Sequence, residues 1–295
     1  MVLSRALSFP LFQLLLVLCL PSLSVSTSPI EESRSYWDPI RRSLTLSSRS
    51  NVPSTGYFDP RDNGGSFLTK VPDTFPAGLG EPINVILTAN SDSAVLVDQE
   101  SNGGLRNYYF AIGFAGECLG QHAGSDQEAN LGDGNGYLNE TAVIRWDYGD
   151  PTLGTCTETV KGGNHFRYWV QNGKSGNSNA VFMALSYEEP LSEQHDIIDN
   201  GYNLARDQLV GNATGGIIVP TSNLTNSSTY SGQTSYGGYT YQTSVQYVSG
   251  LLPNTSTGIN HLITVGAGQN AVDGLVAVMT VKITQSPQRA TASSS

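Results

Sequence analysis

Three side chains that could take part in chemistry stand at alternate positions in the segment GGNHFRYWVQNG, residues 162–173: His165, Arg167 and Trp169. Alternate residues of a β-strand point to the same face, so a strand here would present all three together. A histidine can act as a general acid or base near neutral pH, and an arginine can bind a phosphate or carboxylate through two hydrogen bonds. The pattern is compatible with an active site, a binding surface or a half-buried structural strand.

A second polar group follows in the segment HDIIDNGYNLARDQLV, which begins at His195. If the helix predicted in this segment packs across the first strand, a carboxylate could orient an imidazole. The catalytic candidates are then His165, His195 and Asp207, and the ligand-binding candidates are Arg167, Trp169 and Arg206. The alternative is structural: Arg206 or Arg167 pairs with Asp207 or Asp196 and joins the helix to the sheet. A buried ion pair of this kind serves structure or specificity more often than catalysis.

Several well-defined catalytic and binding motifs are absent from the sequence. It contains no Gly-x-Ser-x-Gly elbow, no His-Glu-x-x-His pair, no Walker loop and no dinucleotide-binding glycine motif after a predicted strand. The segment Gly132–Gly136 resembles part of a calcium loop but lacks the third acidic position and the closing glutamate. We therefore expect no metal ligands and no cofactor.

The apolar periodicity predicts more strands than helices. Residues 165–171 and 180–188 are two strands separated by the turn-rich NGKSGNSN, which indicates a hairpin with a long loop. A short helix is predicted over 201–211 after this hairpin, and another lies within 103–114. Further strands are predicted at 83–89, 141–147, 239–248, 261–268 and 274–284. The fold class that follows is α+β, a single domain with a mainly antiparallel sheet and a few short helices.

The composition changes along the chain and divides it into four parts. Residues 1–26 have one early arginine, an apolar run and a small-residue end, which is the layout of a secretory signal peptide. Residues 27–80 form an irregular N-terminal arm, with Tyr36, Trp37, Tyr57 and Phe58 as its expected anchors. Residues 81–284 form the α+β domain, with a low-complexity glycosylated loop at 212–238, and 285–295 is a disordered polar tail.

The cysteines and the sequons agree with a secreted, extracellular protein. Cys19 falls within the predicted signal peptide, which leaves Cys118 and Cys156 to form one disulfide in an oxidising compartment. N-glycosylation sequons occur at Asn139, Asn212, Asn223, Asn226 and Asn254. A second long apolar run is lacking, so we expect no membrane span.

The charge balance excludes one class of partner. The formal net charge is −10 and only 14% of residues are charged. An acidic chain gains nothing from counterion release at a nucleic acid and is repelled by an anionic membrane surface. The composition does not identify a partner; extracellular carbohydrate or the cell wall is one compatible class.

Five short motifs, in their order along the chain, give the sequence a resemblance to a known family. The segments GEPINVIL, GGNHFRYWVQNG, AVFMALSYEE, HDIIDNGYNLARDQLV and VDGLVAVMTVKI resemble the LssY C-terminal domain family over roughly residues 80–284. The whole chain also resembles secreted fungal (basidiomycete-type) proteins that carry this domain behind a signal peptide. The matching positions are His165, Arg167, Trp169, His195, Asp199, Arg206, Asp207, Asp273 and Gly274. Asn203 and Ala205 stand where the family tends to have acids, which weakens any metal or acid–base role of that helix.

Two functional hypotheses follow. The first is a secreted glycoprotein that acts as a non-catalytic binding or cell-surface-associated module, because no nucleophile is visible and charged residues are few. The second is an extracellular hydrolase for a phosphorylated or acidic substrate, with His165 and His195 as acid and base, Arg167 and Arg206 as anion clamps, and Asp207 as the orienting carboxylate. The resemblance carries no established activity, so the choice between them depends on geometry: catalysis requires both histidines and an arginine to converge on one cleft.

Overall fold

A computed structural model of the protein describes residues 51–122, 124–261 and 268–287. These residues belong to one of the two compact units of the chain, Leu44–Ser295. The predicted signal peptide, the first part of the predicted arm with Tyr36 and Trp37, most of the strand expected at 261–268 and the end of the polar tail lie outside the described residues.

The described residues form an eight-stranded mixed sheet in which antiparallel pairs dominate, as expected for an α+β protein. The parallel exception is the pair of the first and the tenth strand. In spatial order the strands are β2 (Phe114–Gly116), β5 (Ala142–Trp146), β6 (Gly163–Val170), β7 (Val181–Glu188), β1 (Val85–Leu87), β10 (Val272–Gln285), β9 (Tyr239–Thr255) and β8 (Thr229–Tyr236). The predicted hairpin is β6–β7, with His165 opposite Ser186 and Arg167 opposite Ala184.

Three helices accompany this sheet in the described part of the chain: α1 (Leu105–Ala111), α2 (Gly154–Lys161) and α3 (Gly201–Ala213). Helices α1 and α3 contribute Tyr108, Tyr109 and Leu209 to a core that includes Phe166 and Tyr168 of β6. Burial of each large apolar side chain stabilises the fold by roughly 1.5–3 kcal/mol. None of the described helices has the length and apolar character needed to cross a membrane.

The opposite face of the sheet is covered by the N-terminal segment and by a small two-stranded sheet, β3 (Glu128–Asn130) paired with β4 (Tyr137–Asn139). Tyr57 and Phe67 of the predicted arm are buried against Phe182. Backbone bridges join Leu68 to Pro82 and Lys70 to Glu128. This part of the arm is therefore integral to the second core.

The loop predicted at 212–238 is wrong near both of its ends. Helix α3 continues to Ala213, and residues Thr229–Tyr236 form strand β8, which pairs with β9 along its whole length. The connection is a two-residue turn, Gly237-Gly238, in which both residues have positive φ, the requirement of the tight hairpin turns that suit twisted strands. The Ser/Thr/Gly/Tyr composition of this segment indicates a low-complexity loop, but threonine and tyrosine also favour strands, and here they form one.

Candidate functional site

The alternation along β6 places Asn164 and Phe166 on one face of the strand and His165 on the other. Asn164 points towards α3, because its Nδ2 donates to the carbonyl oxygen of Ala205 at 2.8 Å. His165, the next residue, therefore points to the other face, together with Arg167 and Trp169. The predicted common face exists, but α3 covers the reverse side of the strand.

His165 belongs to a buried polar group centred on the guanidinium of Arg145. Arg145 lies on β5 opposite His165 in the antiparallel register. Its nitrogens lie 2.9 Å from Glu158 Oε2, 3.6 Å from Glu117 Oε1 and 3.7 Å from Glu188 Oε2. We call the following residues the Arg145 cluster: Glu117, Arg145, Glu158, His165, Glu188 and His195.

The imidazole of His165 is enclosed, with 1% of the residue exposed. Its Nε2 lies 3.3 Å from Ser186 Oγ, 3.4 Å from Arg167 Nη1 and 3.5 Å from Glu188 Oε1. Burial, followed by the positive charges of Arg145 and Arg167, holds the pKa of His165 well below its usual value. The ring is therefore neutral near pH 7, and a neutral imidazole can bind a cation through a ring nitrogen.

His195 joins the same cluster from the loop after β7. Gln194 and His195 both adopt left-handed backbone conformations, with φ of 64° and 55°, which cost of order 1 kcal/mol for residues other than glycine. This turn brings His195 Nδ1 to 3.3 Å from Glu188 Oε2. Glu188 therefore stands between the two candidate histidines, and His195, with 26% of its side chain exposed, forms the solvent edge of the cluster.

The predicted disulfide between Cys118 and Cys156 is present and fastens two pieces of the Arg145 cluster together. Glu117 directly precedes one cysteine, and Glu158 on α2 stands two residues after the other. The bridge holds the loop around Cys118 against α2, so that both carboxylates reach Arg145 from different segments. A disulfide is typical of proteins that fold in an oxidising compartment.

The carboxyl groups of Glu158 and Glu188 have pKa values above the usual value for glutamate. Burial raises the pKa of Glu158 to about 7, against the opposing effect of Arg145. Burial also raises the pKa of Glu188 to about 7, although Arg145 and Arg167 favour its charged form. Groups with pKa values near neutrality can exchange protons at physiological pH, as a general acid or base must.

Among the described residues, two sets of side chains bring together enough ligand atoms to hold a metal ion, although no metal site was expected from the sequence. The inner set is Glu158, His165 and Glu188, and the outer set is His122, Asp126 and Glu140. Within each set the ligand atoms lie within 4.8 Å of one another. The inner set is part of the Arg145 cluster, whereas the outer set lies nearer the surface.

The other two candidates on the β6 face have structural partners. Arg167 Nε lies 3.2 Å from Glu140 Oε1, so its guanidinium already contacts a carboxylate of this chain. Trp169 is buried in the second core, and its Nε1 donates to the carbonyl oxygen of Leu138 at 2.9 Å. The structure therefore places Arg167 at the border of the cluster and Trp169 in the packing beneath the small sheet.

Arg206 and Asp207 do not meet the histidines. Arg206 is fully buried, with Nε 2.7 Å from Asp207 Oδ1 and Nη1 2.7 Å from Asp273 Oδ1. The hydroxyl of Tyr247 donates to Asp207 at 2.7 Å, and the guanidinium lies 5.1 Å from the centre of that ring. These contacts tie α3 to β9 and β10, on the helix-covered side of the sheet. Of the second predicted polar group, His195 alone among the catalytic and ligand-binding candidates joins His165.

Arg145, Glu158 and Glu188 were not identified from the sequence. Two of them had a usable signal: Arg145 and Glu188 alternate with apolar residues on β5 and β7, as His165 does on β6. Glu158 lies on the short helix α2, which the apolar pattern did not predict. Its proximity in sequence to Cys156 was the sole indication of its position.

A groove lies beside the small sheet, near the outer metal-ligand set. Its volume is about 640 Å³. Lys70 Nζ lies 3.4 Å from the centre of the Tyr137 ring, and Tyr137 remains 40% exposed. The groove is lined by Ser66, Leu68, Thr69, Lys70, Val71, Pro72, Gly78, Leu79, Gly80, Asp126, Glu128, Tyr137, Asn139 and Gly258.

A chain of polar contacts connects this groove with the Arg145 cluster. Asp126 lines the groove, and its Oδ1 lies 3.3 Å from His122 Nε2. His122 Nδ1 is 2.8 Å from Glu117 Oε2, and Glu117 contacts Arg145. The groove is therefore the solvent-exposed end of a polar network, and the Arg145 cluster is its buried end.

The five sequons differ in their surroundings. Asn139, Asn223, Asn226 and Asn254 are exposed. Asn212 is half-buried in the last turn of α3, and its Nδ2 donates to the carbonyl oxygen of Ile112 at 3.1 Å. Glycosylation at any of the five stays a prediction.

Comparisons of this chain with protein families, with curated proteins and with solved structures found no match. The resemblance to the LssY C-terminal domain family therefore stays a prediction based on the five motifs.

Proposed function

We propose that this chain is a secreted, LssY-C-like glycoprotein that acts as an extracellular binding module, with the groove beside Tyr137 as its binding site for cell-wall carbohydrate. The observation that carries the proposal is the groove itself. Its volume of about 640 Å³ falls within the range of small-ligand sites, and it combines apolar walls with a few polar groups.

The lining has the chemistry that a sugar requires. A pyranose ring offers an apolar C–H face, which an exposed aromatic ring such as Tyr137 can cover, and a rim of hydroxyl groups. Hydroxyls that leave water need hydrogen-bond partners, and the side chains of Asp126, Glu128 and Asn139 supply acceptors and donors along one side of the groove. The Lys70 ammonium against Tyr137 helps to hold the ring in place.

A binding assay with a matched tyrosine control tests this proposal. The secreted protein is titrated calorimetrically with soluble fragments of β-glucan, chitin and mannan. Tyr137→Ala should weaken binding by at least tenfold. Tyr236→Ala, which removes a tyrosine of nearly equal exposure (38%) from the β8–β9 hairpin, should leave it unchanged. Absence of binding to every fragment, or an equal effect of the two substitutions, would refute the groove as a carbohydrate site.

Asn139 requires a separate arm of the assay, because it is both a sequon and a groove residue. Its Nδ2 donates to Asp126 Oδ2 at 2.6 Å. A glycan attached there would leave from the edge of the groove and compete with an added oligosaccharide. The titration is therefore repeated with Asn139→Gln, which keeps an amide but cannot be glycosylated; binding that requires this substitution would show that the chain's own glycan occupies the groove.

A second candidate function, hydrolysis of a phosphorylated or acidic substrate, is favoured by the position of Glu188 between His165 and His195. In this mechanism His195, at the solvent edge, exchanges the proton with substrate, Glu188 orients its imidazole, and Arg145 and Arg167 supply positive charge. A panel of phosphoesters and acyl esters is the test. Hydrolysis that is lost in His195→Ala and retained in Tyr137→Ala would assign activity to the Arg145 cluster, and no turnover of any ester would refute it.

A further inference from the structure

The Arg145 cluster contains more negative than positive groups. Three carboxylates, those of Glu117, Glu158 and Glu188, surround the guanidinium of Arg145. The next guanidinium, that of Arg167, lies 3.4 Å from His165 Nε2 and is paired with Glu140. Glu158 is fully buried, and Glu188 has only 15% of its side chain exposed. Buried carboxylates of this kind need a cation or protons to compensate them.

The ligand atoms of the inner set are arranged for such a cation. A carboxylate oxygen of Glu158, a ring nitrogen of His165 and a carboxylate oxygen of Glu188 all lie within 4.8 Å of one another. Neighbouring ligands of a tetrahedral zinc ion stand about 3–3.5 Å apart, given metal–ligand distances near 2 Å.

Two buried atoms of this set lack hydrogen-bond partners. Glu158 binds Arg145 through Oε2, while its buried Oε1 and the buried Nδ1 of His165 have no hydrogen-bond partner in the described part of the chain. An unsatisfied buried oxygen or nitrogen costs about 1–3 kcal/mol, so such atoms in native proteins usually mark a missing partner. His195 lies beside this set, with Nδ1 3.3 Å from Glu188 Oε2, so its side chain would have to move closer to the other two residues to supply a fourth ligand.

We propose that Glu158, His165 and Glu188, with His195 as the fourth ligand at the solvent edge, form a binding site for a divalent first-row transition-metal ion of the zinc type. The mixed imidazole and carboxylate donors fit zinc and its neighbours, whereas calcium and magnesium prefer oxygen ligands alone. Arg145, by holding Glu158 Oε2, orients that carboxylate and leaves Oε1 for the ion. The site is independent of the ligand proposed for the groove.

The outer set, His122, Asp126 and Glu140, is the competing location and is a poorer one. Both ring nitrogens of His122 already face carboxylates, and Glu140 already contacts Arg167 and the backbone N–H of Gln127. A metal ion there would have to displace existing partners at the surface, where exposed carboxylates are well hydrated. In the inner set, by contrast, Glu158 Oε1 and His165 Nδ1 have no hydrogen-bond partner among the described residues.

Metal titration of the full-length secreted protein tests the site. After treatment with a chelator, the protein is titrated with Zn²⁺ by calorimetry, and Co²⁺ is added separately to report nitrogen ligation through its visible absorption. We expect one Zn²⁺ per chain at the inner site and a Co²⁺ spectrum typical of low coordination. Glu158→Gln and Glu188→Gln should each weaken Zn²⁺ binding by at least tenfold.

Three further variants separate a metal site from its alternatives. Glu193→Gln, an exposed substitution in the neighbouring turn, should bind Zn²⁺ as the wild type does. Asp126→Asn, which impairs the outer set alone, should also keep the inner site. His195→Ala leaves the buried core intact, so it should fold, bind Zn²⁺ more weakly and show a smaller Zn²⁺-induced rise in melting temperature.

Two results would overturn the proposal. One is the absence of stoichiometric Zn²⁺ binding by the chelator-treated wild type. The other is binding that Asp126→Asn abolishes and that Glu188→Gln and His195→Ala leave unchanged, which would move the ion to the outer set. If Glu158→Gln does not fold, the comparison of Glu188→Gln and His195→Ala with Glu193→Gln decides the question.

Discussion

At the scale of single residues, Arg145 determines the character of the site. It is 5% exposed and contacts three carboxylates that come from the loop before Cys118, from α2 and from β7. Without it those carboxylates would face one another in a poorly hydrated interior. His165 is one neighbour of Arg145, and Glu188 connects His165 to His195.

Substitution of Arg145 should be strongly destabilising. Arg145→Met keeps much of the side-chain length and removes the charge, leaving Glu158 and Glu188 uncompensated, which should lower the free energy of unfolding by about 3–5 kcal/mol. Arg61→Met is the control, because Arg61 forms a partly exposed pair with Asp59, with 47% and 23% of the two side chains exposed, whose loss should cost under about 1 kcal/mol. Urea unfolding measures both, and equal effects would show that burial of the Arg145 cluster has no energetic consequence.

The raised pKa values of Glu158 and Glu188 predict a pH dependence of stability in metal-free protein. Between the usual glutamate pKa and about 7, the folded state retains protons that the unfolded state has released. The contribution of these two groups to the free energy of unfolding is therefore present below the usual glutamate pKa and lost as the pH rises towards 7. His165 acts in the opposite sense, because its lowered pKa costs stability as the pH falls below 6.5.

A variant isolates the glutamate contribution from that of His165. Glu158→Gln cannot ionise, so its melting temperature should rise relative to that of the wild type as the pH is raised from 5 to 8 in the presence of a chelator. The measurement is differential scanning fluorimetry at closely spaced pH values. A difference that stays constant across this interval would contradict a raised pKa for Glu158.

At the scale of elements, the site is built where the β5–β6–β7 sheet meets two short pieces of chain that have little stability of their own. Helix α2 has eight residues, and the 3₁₀ turn at Cys118–Gly120 has three. Helices this short are marginal without tertiary contacts. The disulfide that joins them therefore does more than stabilise the fold in general: it keeps Glu117 and Glu158 against Arg145.

Removal of the disulfide should be costly. The double substitution Cys118→Ser/Cys156→Ser opens a loop defined by a sequence separation of 38 residues. In the chain-entropy treatment this lowers the free energy of unfolding by roughly 3–4 kcal/mol. Urea unfolding of the variant and of the reduced wild type should agree, and a loss below about 1 kcal/mol in both would contradict a structural role for the bridge.

At the scale of the whole molecule, the two faces of the sheet have different roles. The helix-covered face contains the larger core and the Arg206–Asp207–Asp273 network. The opposite face contains the Arg145 cluster and the groove, linked by His122 and Asp126. The proposed binding and metal sites therefore share one side of the molecule, and the other side maintains the fold.

The sequons give a prediction at this same scale, because accessibility depends on where each asparagine stands in the fold. A glycan on Asn212 would break its hydrogen bond to Ile112 and disturb the contact between the end of α3 and the segment after α1. In folded protein secreted by a eukaryotic cell, we expect Asn212 to be unmodified and glycans to be confined to the exposed sequons. Peptide mass spectrometry after enzymatic deglycosylation measures this, and full occupancy of Asn212 in folded protein would contradict it.

Local patterns in the sequence were sufficient to predict two kinds of feature. One kind depends on residues that are neighbours in the chain, and the other has few chemical alternatives. The β6–β7 hairpin and helix α3 follow from apolar periodicity and turn residues, and the Cys118–Cys156 bridge follows from having two cysteines left to pair. The β8 strand was missed because its polar, partly exposed residues lack an apolar alternation, and it is held in place by pairing with β9.

The sequence by itself determined the fold class, the face shared by His165, Arg167 and Trp169, and the disulfide, because each depends on spacing along the chain. Tertiary structure alone decided which of these residues meet. Helix α3 packs on the reverse of β6, which separates Arg206 and Asp207 from His165, while a left-handed turn returns His195 to Glu188. Contacts between residues distant in sequence depend on the side of the sheet on which each segment packs, and that is set by burial of the whole apolar surface rather than by any local pattern.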